Sequence, residues 1–242
     1  MFEKAFCELY TGSIFKGKKM KKKLIIWDFD GVVADTEKIW LYNRMVTLNE
    51  DYGVNWDIQT VYQHLLGISD RSKREVLNQM GIVTSDAFWA KNKKMDWDVM
   101  LSKGFEPTDG IVDIFQFKNI KQCIATGTLR EKIFAKIKVT GIEKYFSDSN
   151  VFTVDQVEKG KPEPDLFLYA CAKMGEKPSD AIVVEDSVAG LKAALAAGCT
   201  PVAFTKYALP DNKAYFDAIR ELGVDGVFDD MADVKKYVQA QM

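Results

Sequence analysis

Asp28 and Asp30 stand two residues apart in Asp28-Phe29-Asp30-Gly31, where the apolar run Leu24-Ile25-Ile26-Trp27 stops. Two carboxylates held that close repel, so the pair is costly unless a cation or a shared proton offsets it. A capped turn with two solvated acids is the plainer alternative. Three further stretches carry groups that would complement the pair. Thr126-Gly127-Thr128 offers a hydroxyl and backbone N–H groups, which suit a phosphate, although the same turn would serve as an ordinary helix cap. Lys161 lies ahead of two prolines in Gly160-Lys161-Pro162-Glu163-Pro164-Asp165 and can project a cation to where negative charge develops. A surface loop leading into a helix capped by Asp165 is the competing account. Val184-Glu185-Asp186-Ser187 brings two more acids at the end of another apolar run. Carboxylates with no matching His or Cys suit Mg²⁺, a hard cation that prefers oxygen ligands.

Such groups need a scaffold that collects them. Short apolar runs at 24–27, 122–125, 151–154, 181–184 and 202–204 read as strands buried on both faces, with a candidate edge strand at 224–228. Helical patterns at 129–139, 165–174, 187–197 and 211–222 alternate with them, the third closed by Gly198. Strands alternating with helices predict an α/β fold, a doubly wound parallel sheet with helices on both faces. Ligands of such sheets bind at the carboxyl ends of the strands, the edge where all four groups would meet. The alternation lapses between 36 and 104. Amphipathic helical stretches at 37–52, 69–80 and 85–103, rich in Trp, Met and Lys, replace it. The expected organisation is a core domain of 21–36 and 105–242, a helical cap domain of 37–104 inserted after the first strand, and an extension of 1–20 without a functional role.

Bulk properties narrow the partners. A formal net charge of −2 gives no electrostatic reason to expect nucleic acid or an anionic membrane. The longest apolar runs fall far short of the roughly 18 residues of a membrane span. Six lysines lie between 16 and 23, but the apolar run after them stops at Asp28, unlike a signal peptide. Cys7, Cys123, Cys171 and Cys199 form no CxxC pair and read as free thiols, so a cytoplasmic location is expected.

The order Asp28-Phe-Asp-Gly-Val-Val-Ala-Asp-Thr, Thr126, Lys161-Pro-Glu-Pro-Asp and Glu185-Asp186-Ser-Val-Ala-Gly resembles the haloacid dehalogenase superfamily. It is most similar to the branch with a helical cap, which includes β-phosphoglucomutase and many small-metabolite phosphatases. The resemblance implies that Asp28 attacks phosphorus to form an aspartyl-phosphate and that Asp30 protonates the leaving oxygen, then activates water. It implies that Thr126, Gly127 and Lys161 hold the phosphoryl oxygens. It further implies Mg²⁺ on the Asp28 carboxylate, the Asp30 backbone carbonyl and Asp186, with Glu185 as a ligand or support.

Asp30 argues against haloalkanoate dehalogenation, which has no alkoxide to protonate, and against phosphonatases, which resemble this pattern but carry alanine there. A phosphatase of a small phosphorylated metabolite is the leading expectation, acting as a monomer. A phosphomutase is the alternative, but Trp40 stands where β-phosphoglucomutase has a histidine, and His64, the chain's one histidine, reads as a half-buried cap residue. A silent ligand-binding relative is the reading of another class, although no motif acid is missing. Gly67-Ile68-Ser69-Asp70-Arg71 resembles the cap loop that closes over the site. Arg71 could grip an anionic part of the substrate or simply face solvent. Lys91, Lys93 and Lys94 carry the same two readings.

Overall fold

The computed structural model describes residues 21–66, 68 and 70–242. The expected extension at 1–20 and two residues of the cap loop, Gly67 and Ser69, lie outside them. Six strands form one parallel sheet: β1 (Leu24–Trp27), β2 (Lys121–Thr126), β3 (Val151–Thr153), β4 (Ala181–Glu185), β5 (Thr200–Phe204) and β6 (Gly226–Phe228). Their spatial order is β3-β2-β1-β4-β5-β6. The chain winds outward from β1 in one direction, then crosses back to build β4 on its other side, so the order reverses between β1 and β4.

Alternation of side chains explains why these runs are apolar throughout. Ile25, Trp27, Ile124, Ile182 and Val184 enter one hydrophobic cluster, while Leu24, Ile26, Cys123, Ala125 and Val183 enter another on the opposite face. The first cluster is covered by α5 (Ile111–Phe115), α6 (Arg130–Val139) and α10 (Met231–Gln241). The second is covered by α7 (Asp165–Met174) and α8 (Val188–Ala196), with α9 (Lys213–Leu222) packed beside α8. Cys123, Cys171 and Cys199 are free and buried.

The lapse in alternation contains four helices: α1 (Glu37–Tyr52), α2 (Ile58–Leu65), α3 (Asp70–Gln79) and α4 (Asp86–Lys103). They enclose their own apolar cluster, which includes Leu41, Leu48, Val61, Leu65, Leu77 and Phe88. A buried polar suture joins α1 to α4: Arg44 donates to Asn92 at 2.8 Å and to Asp96 at 3.0 Å, and Asn43 donates to Asp96 at 2.8 Å. Its two connections to the sheet run side by side. Ala34 bridges Pro107, and the Thr108 hydroxyl donates to the Val32 carbonyl at 2.7 Å.

The pattern-based expectation misses α2, α5 and α10, and shifts several ends by one or two residues. The 165–174 helix is capped by Pro164, with Asp165 its first residue rather than its cap. Gly198, at φ +78°, follows the Ala197 cap of α8.

Candidate active site

All strands being parallel, the stretches singled out by their chemistry meet at one edge. Asp28 follows β1, and its N–H donates to the Val184 carbonyl of β4 at 3.0 Å, which brings it beside Glu185 at the point where strand order reverses. The Lys161 ammonium bridges the two acids, 2.5 Å from Asp28 Oδ1 and 2.6 Å from Glu185 Oε1. Glu185 Oε2 accepts the Ser187 N–H at 2.6 Å, and Ser187 in turn caps α8 through the Gly190 N–H. Two glycines make this packing possible. A Cβ on Gly190 would lie 1.8 Å from Glu185 Oε1, and one on Gly31, at φ +82°, would lie 2.0 Å from Asp186 Oδ2. Tyr215, from α9, donates to the Asp186 carbonyl at 2.6 Å and steadies that turn.

Asp30 occupies a separate environment. Thr36 donates to its Oδ1 at 2.5 Å and Thr128 to its Oδ2 at 2.8 Å. Lys136, buried on α6, places its ammonium 2.6 and 2.9 Å from the two oxygens. Lys136, Thr36 and Thr128 were missed as site residues. Burial opposes ionisation of Asp30, but the Lys136 charge, its hydrogen bond and those from Thr36 and Thr128 outweigh it and hold the carboxyl below its ordinary range. Thr126, the last residue of β2, is buried with its hydroxyl accepting the Thr128 N–H at 3.1 Å, while Gly127 has open space where a side chain would be. A cavity of about 290 Å³ unites Asp28, Asp30, Thr126, Gly127, Lys161 and Asp186 under Trp40 and Ile68 of the insertion.

Comparison with known proteins identifies the family. The sequence profile of the haloacid dehalogenase-like hydrolases matches residues 22–198. The chain belongs to that family. A phosphorylated carbohydrates phosphatase of Thermotoga maritima is 29% identical over 200 residues, 80% of this chain and 90% of that one. A fructose-1-phosphate phosphatase of Escherichia coli is 29% identical over 180 residues, 74% of this chain and 94% of that one. The solved structure of a haloacid dehalogenase-like protein from Agrobacterium tumefaciens superposes with a TM-score of 0.79 at 25% identity, covering 90% of this chain and 98% of that one.

In this hydrolase the acids around Asp28 are electrostatically incomplete. Ligand atoms of Asp28, Glu185 and Asp186 lie within 4.8 Å of one another. Burial, opposed by Lys161 but reinforced by Glu185 and Asp30, pushes Asp28 up to about 7. Burial, Glu185 and Asp28 together push Asp186 well above the carboxylate range. The Asp186 carboxylate accepts no hydrogen bond among the described residues. Three close oxygen donors, one without a protein partner, fit a hard divalent cation. Glu185 is already engaged by Lys161 and Ser187, so its geometry suits orienting the lysine better than ligating an ion. Desolvation works against the Lys161 charge, yet Asp28 and Glu185 overcome it and raise its pKa.

The insertion's candidates are placed differently from one another. Trp40 reaches the cavity and also packs edge-on against Phe105 with ring centroids 5.7 Å apart. Arg71 is turned to solvent, its side chain 89% exposed and paired with Glu75, so the structure does not bring it to the site. His64 is half-buried and lies against Trp56 at 5.4 Å between ring centroids. Lys91 pairs with Asp51 and Lys94 with Asp98, while Lys93 and Lys94 both line a cleft next to the cavity. No described helix is long and apolar enough to cross a membrane.

Proposed function

We propose that this hydrolase is a Mg²⁺-dependent phosphatase of small phosphorylated metabolites, with Asp28 as nucleophile and residues 37–104 as a cap over the site. The observation that carries this reading is the division of labour between two neighbouring acids. Asp28 lies in a cation-seeking cluster with Asp186, while Asp30 is held ionised by Lys136 2.6 Å away. One acid is placed to attack; the other is placed to move protons.

Asp28 Oδ attacks phosphorus, the ester P–O bond breaks, and the phosphoryl group passes to the carboxylate as an acyl phosphate. The departing oxygen takes a proton that Asp30 draws from the Lys136 ammonium, leaving Lys136 neutral. In the second half Asp30 takes a proton from water, which attacks the phosphorus and frees Asp28 and inorganic phosphate. Lys161, Thr126 and the Gly127 backbone hold the phosphoryl oxygens, Lys161 being steadied by Glu185. Asp28, Asp186 and the Asp30 carbonyl would hold Mg²⁺, which supplies positive charge that offsets repulsion between aspartate and phosphate. Hydrolysis is favoured over isomerisation because Trp40, whose indole takes up no proton, lines the cavity where a mutase has histidine.

The test is phosphate release from a panel of phosphorylated metabolites with Mg²⁺. Turnover of one or more esters is expected. Conversion of β-glucose 1-phosphate to the 6-phosphate without net release would make the protein a mutase, and binding without turnover would make it a silent relative.

A second measurement follows from the raised carboxyl groups. Asp28 and Asp186 bind protons more tightly folded than unfolded, and for Asp28 the folded state carries the extra proton between pH about 4 and about 7. Its contribution to stability is present at the low end of that window and is lost as the pH rises through it, and the Asp186 contribution has the same sign. Without divalent cation, the Tm is expected to fall from pH about 5 to about 8, and Mg²⁺ to recover more at the higher pH. A Mg²⁺ response equal at both would contradict the cluster's role.

A further inference from the structure

Resting on the phosphatase reading, the geometry points to a substrate whose alcohol portion carries a second anionic group, seated in the cleft between α4 and α6. Among the described residues, a cleft opens on either side of the Asp28–Asp30 cavity. One, of about 330 Å³, opens beside Asp186 and is lined by Asp35, Tyr207 and Tyr215 among others. The other, of about 470 Å³, opens beside Asp30 and is lined by Thr128, Lys132, Lys136, Lys93, Trp40 and Trp97.

Displacement at phosphorus keeps the attacking and departing oxygens roughly in line. The departing oxygen must come within reach of Asp30, so the alcohol lies on the Asp30 side. Thr128 and Lys136, the partners of Asp30, also line the second cleft, and the alcohol portion therefore runs into it. The charges there are unequally settled. Lys136 is matched by Asp30, Lys94 by Asp98, and Asp96 by Arg44. Lys93 and Lys132 have no ion-pair partner among the described residues; the Lys132 ammonium rests 5.8 Å from the centre of the Trp97 ring. Two uncompensated cations at the expected position of the alcohol select a carboxylate or a second phosphate, and the indoles provide apolar walls for the carbon skeleton between. The cleft beside Asp186 offers no lysine or arginine among its lining residues.

Matched pairs of esters test this: ethyl phosphate against 2-phosphoglycolate for a carboxylate, and glucose 1-phosphate against glucose 1,6-bisphosphate for a phosphate. With Mg²⁺, the wild type is expected to favour the anionic member of at least one pair by about tenfold in kcat/KM. Lys132→Glu and Lys93→Glu are expected to cut that ratio at least about fivefold, and added salt to shrink it. The ratio cancels any loss common to both members. Calorimetric affinities on Asp28→Asn protein, which leaves the ester intact, provide the readout independent of turnover. Anionic preference in binding without turnover would keep the subsite and remove the phosphatase reading. Turnover without anionic preference, or preference for a cationic alcohol such as that of phosphocholine, would overturn the subsite alone. A preference unmoved by both lysine reversals would overturn it as well.

Discussion

Asp28→Asn is expected to lower turnover by at least about four orders of magnitude while leaving the fold in place. An amide has nearly the same shape as a carboxylate but cannot attack phosphorus, so no covalent intermediate forms. The substitution also removes one acid from a group of three, of which buried Asp28 and Glu185 share Lys161. In metal-free protein the melting temperature should stay level or rise, because a carboxyl that resists ionisation has become neutral. The Mg²⁺-induced rise in Tm should shrink at the same time. Phosphate release in single-turnover assays, with melts at matched pH, reads all three. Release persisting at more than a small fraction of wild type would exclude Asp28 as the nucleophile.

Lys161→Met is expected to damage both stability and activity. Its side chain is 10% exposed and, among the described residues, supplies the cation that Asp28 and Glu185 share. Taking it away strands two buried carboxylates beside Asp186, a class of change that costs about 3–5 kcal/mol. Protonation of the stranded acids relieves part of that cost, so the loss should be larger at pH about 8 than at about 5. Turnover should fall by about two to three orders of magnitude, since the fixed cation proposed to hold the phosphoryl oxygens is gone. Urea unfolding at the two pH values separates the effects. Equal destabilisation at both would mean that Lys161 acts by packing against Phe167, 5.2 Å away, rather than by charge.

The strands could be read from sequence because both faces of a parallel sheet are buried, which makes each strand a short unbroken apolar run. The acids and Thr126 were visible for a related reason, since they stand where such runs end; Lys161 ends no run and stood out instead by the two prolines that follow it. Lys136 was hidden by its neighbours. Between Glu131, Lys132 and Lys138 it reads as part of a solvated helix face. Yet it lies three residues after Ile133 and one before Ile137, both buried, so it falls on the packed side of α6. A lysine at an apolar-face position was the available signal. The α10 helix was readable too, from Asp230 as its cap and from Met231, Val234, Tyr237 and Val238 at helical spacing. Five-residue α5 was not, because Ile111-Val112-Asp113-Ile114-Phe115 suits strand and helix equally. The pairing of Arg44 with Asn92 and Asp96 joins residues far apart in the chain, and nothing local announces it.

The placement of β1 at the middle of the sheet has a consequence for how the protein is made. Leu24-Ile25-Ile26-Trp27 leaves the ribosome first among the strands, yet one of its neighbours, β4, follows about 160 residues later. At about 5–20 residues per second, that flank stays open for about ten to thirty seconds. The helical insertion, whose helices all precede β2 in the chain, can fold during the wait. The strand that leads into Asp28 is thus an early hydrophobic segment with a late partner, and protection by chaperones during synthesis would act first on those four residues.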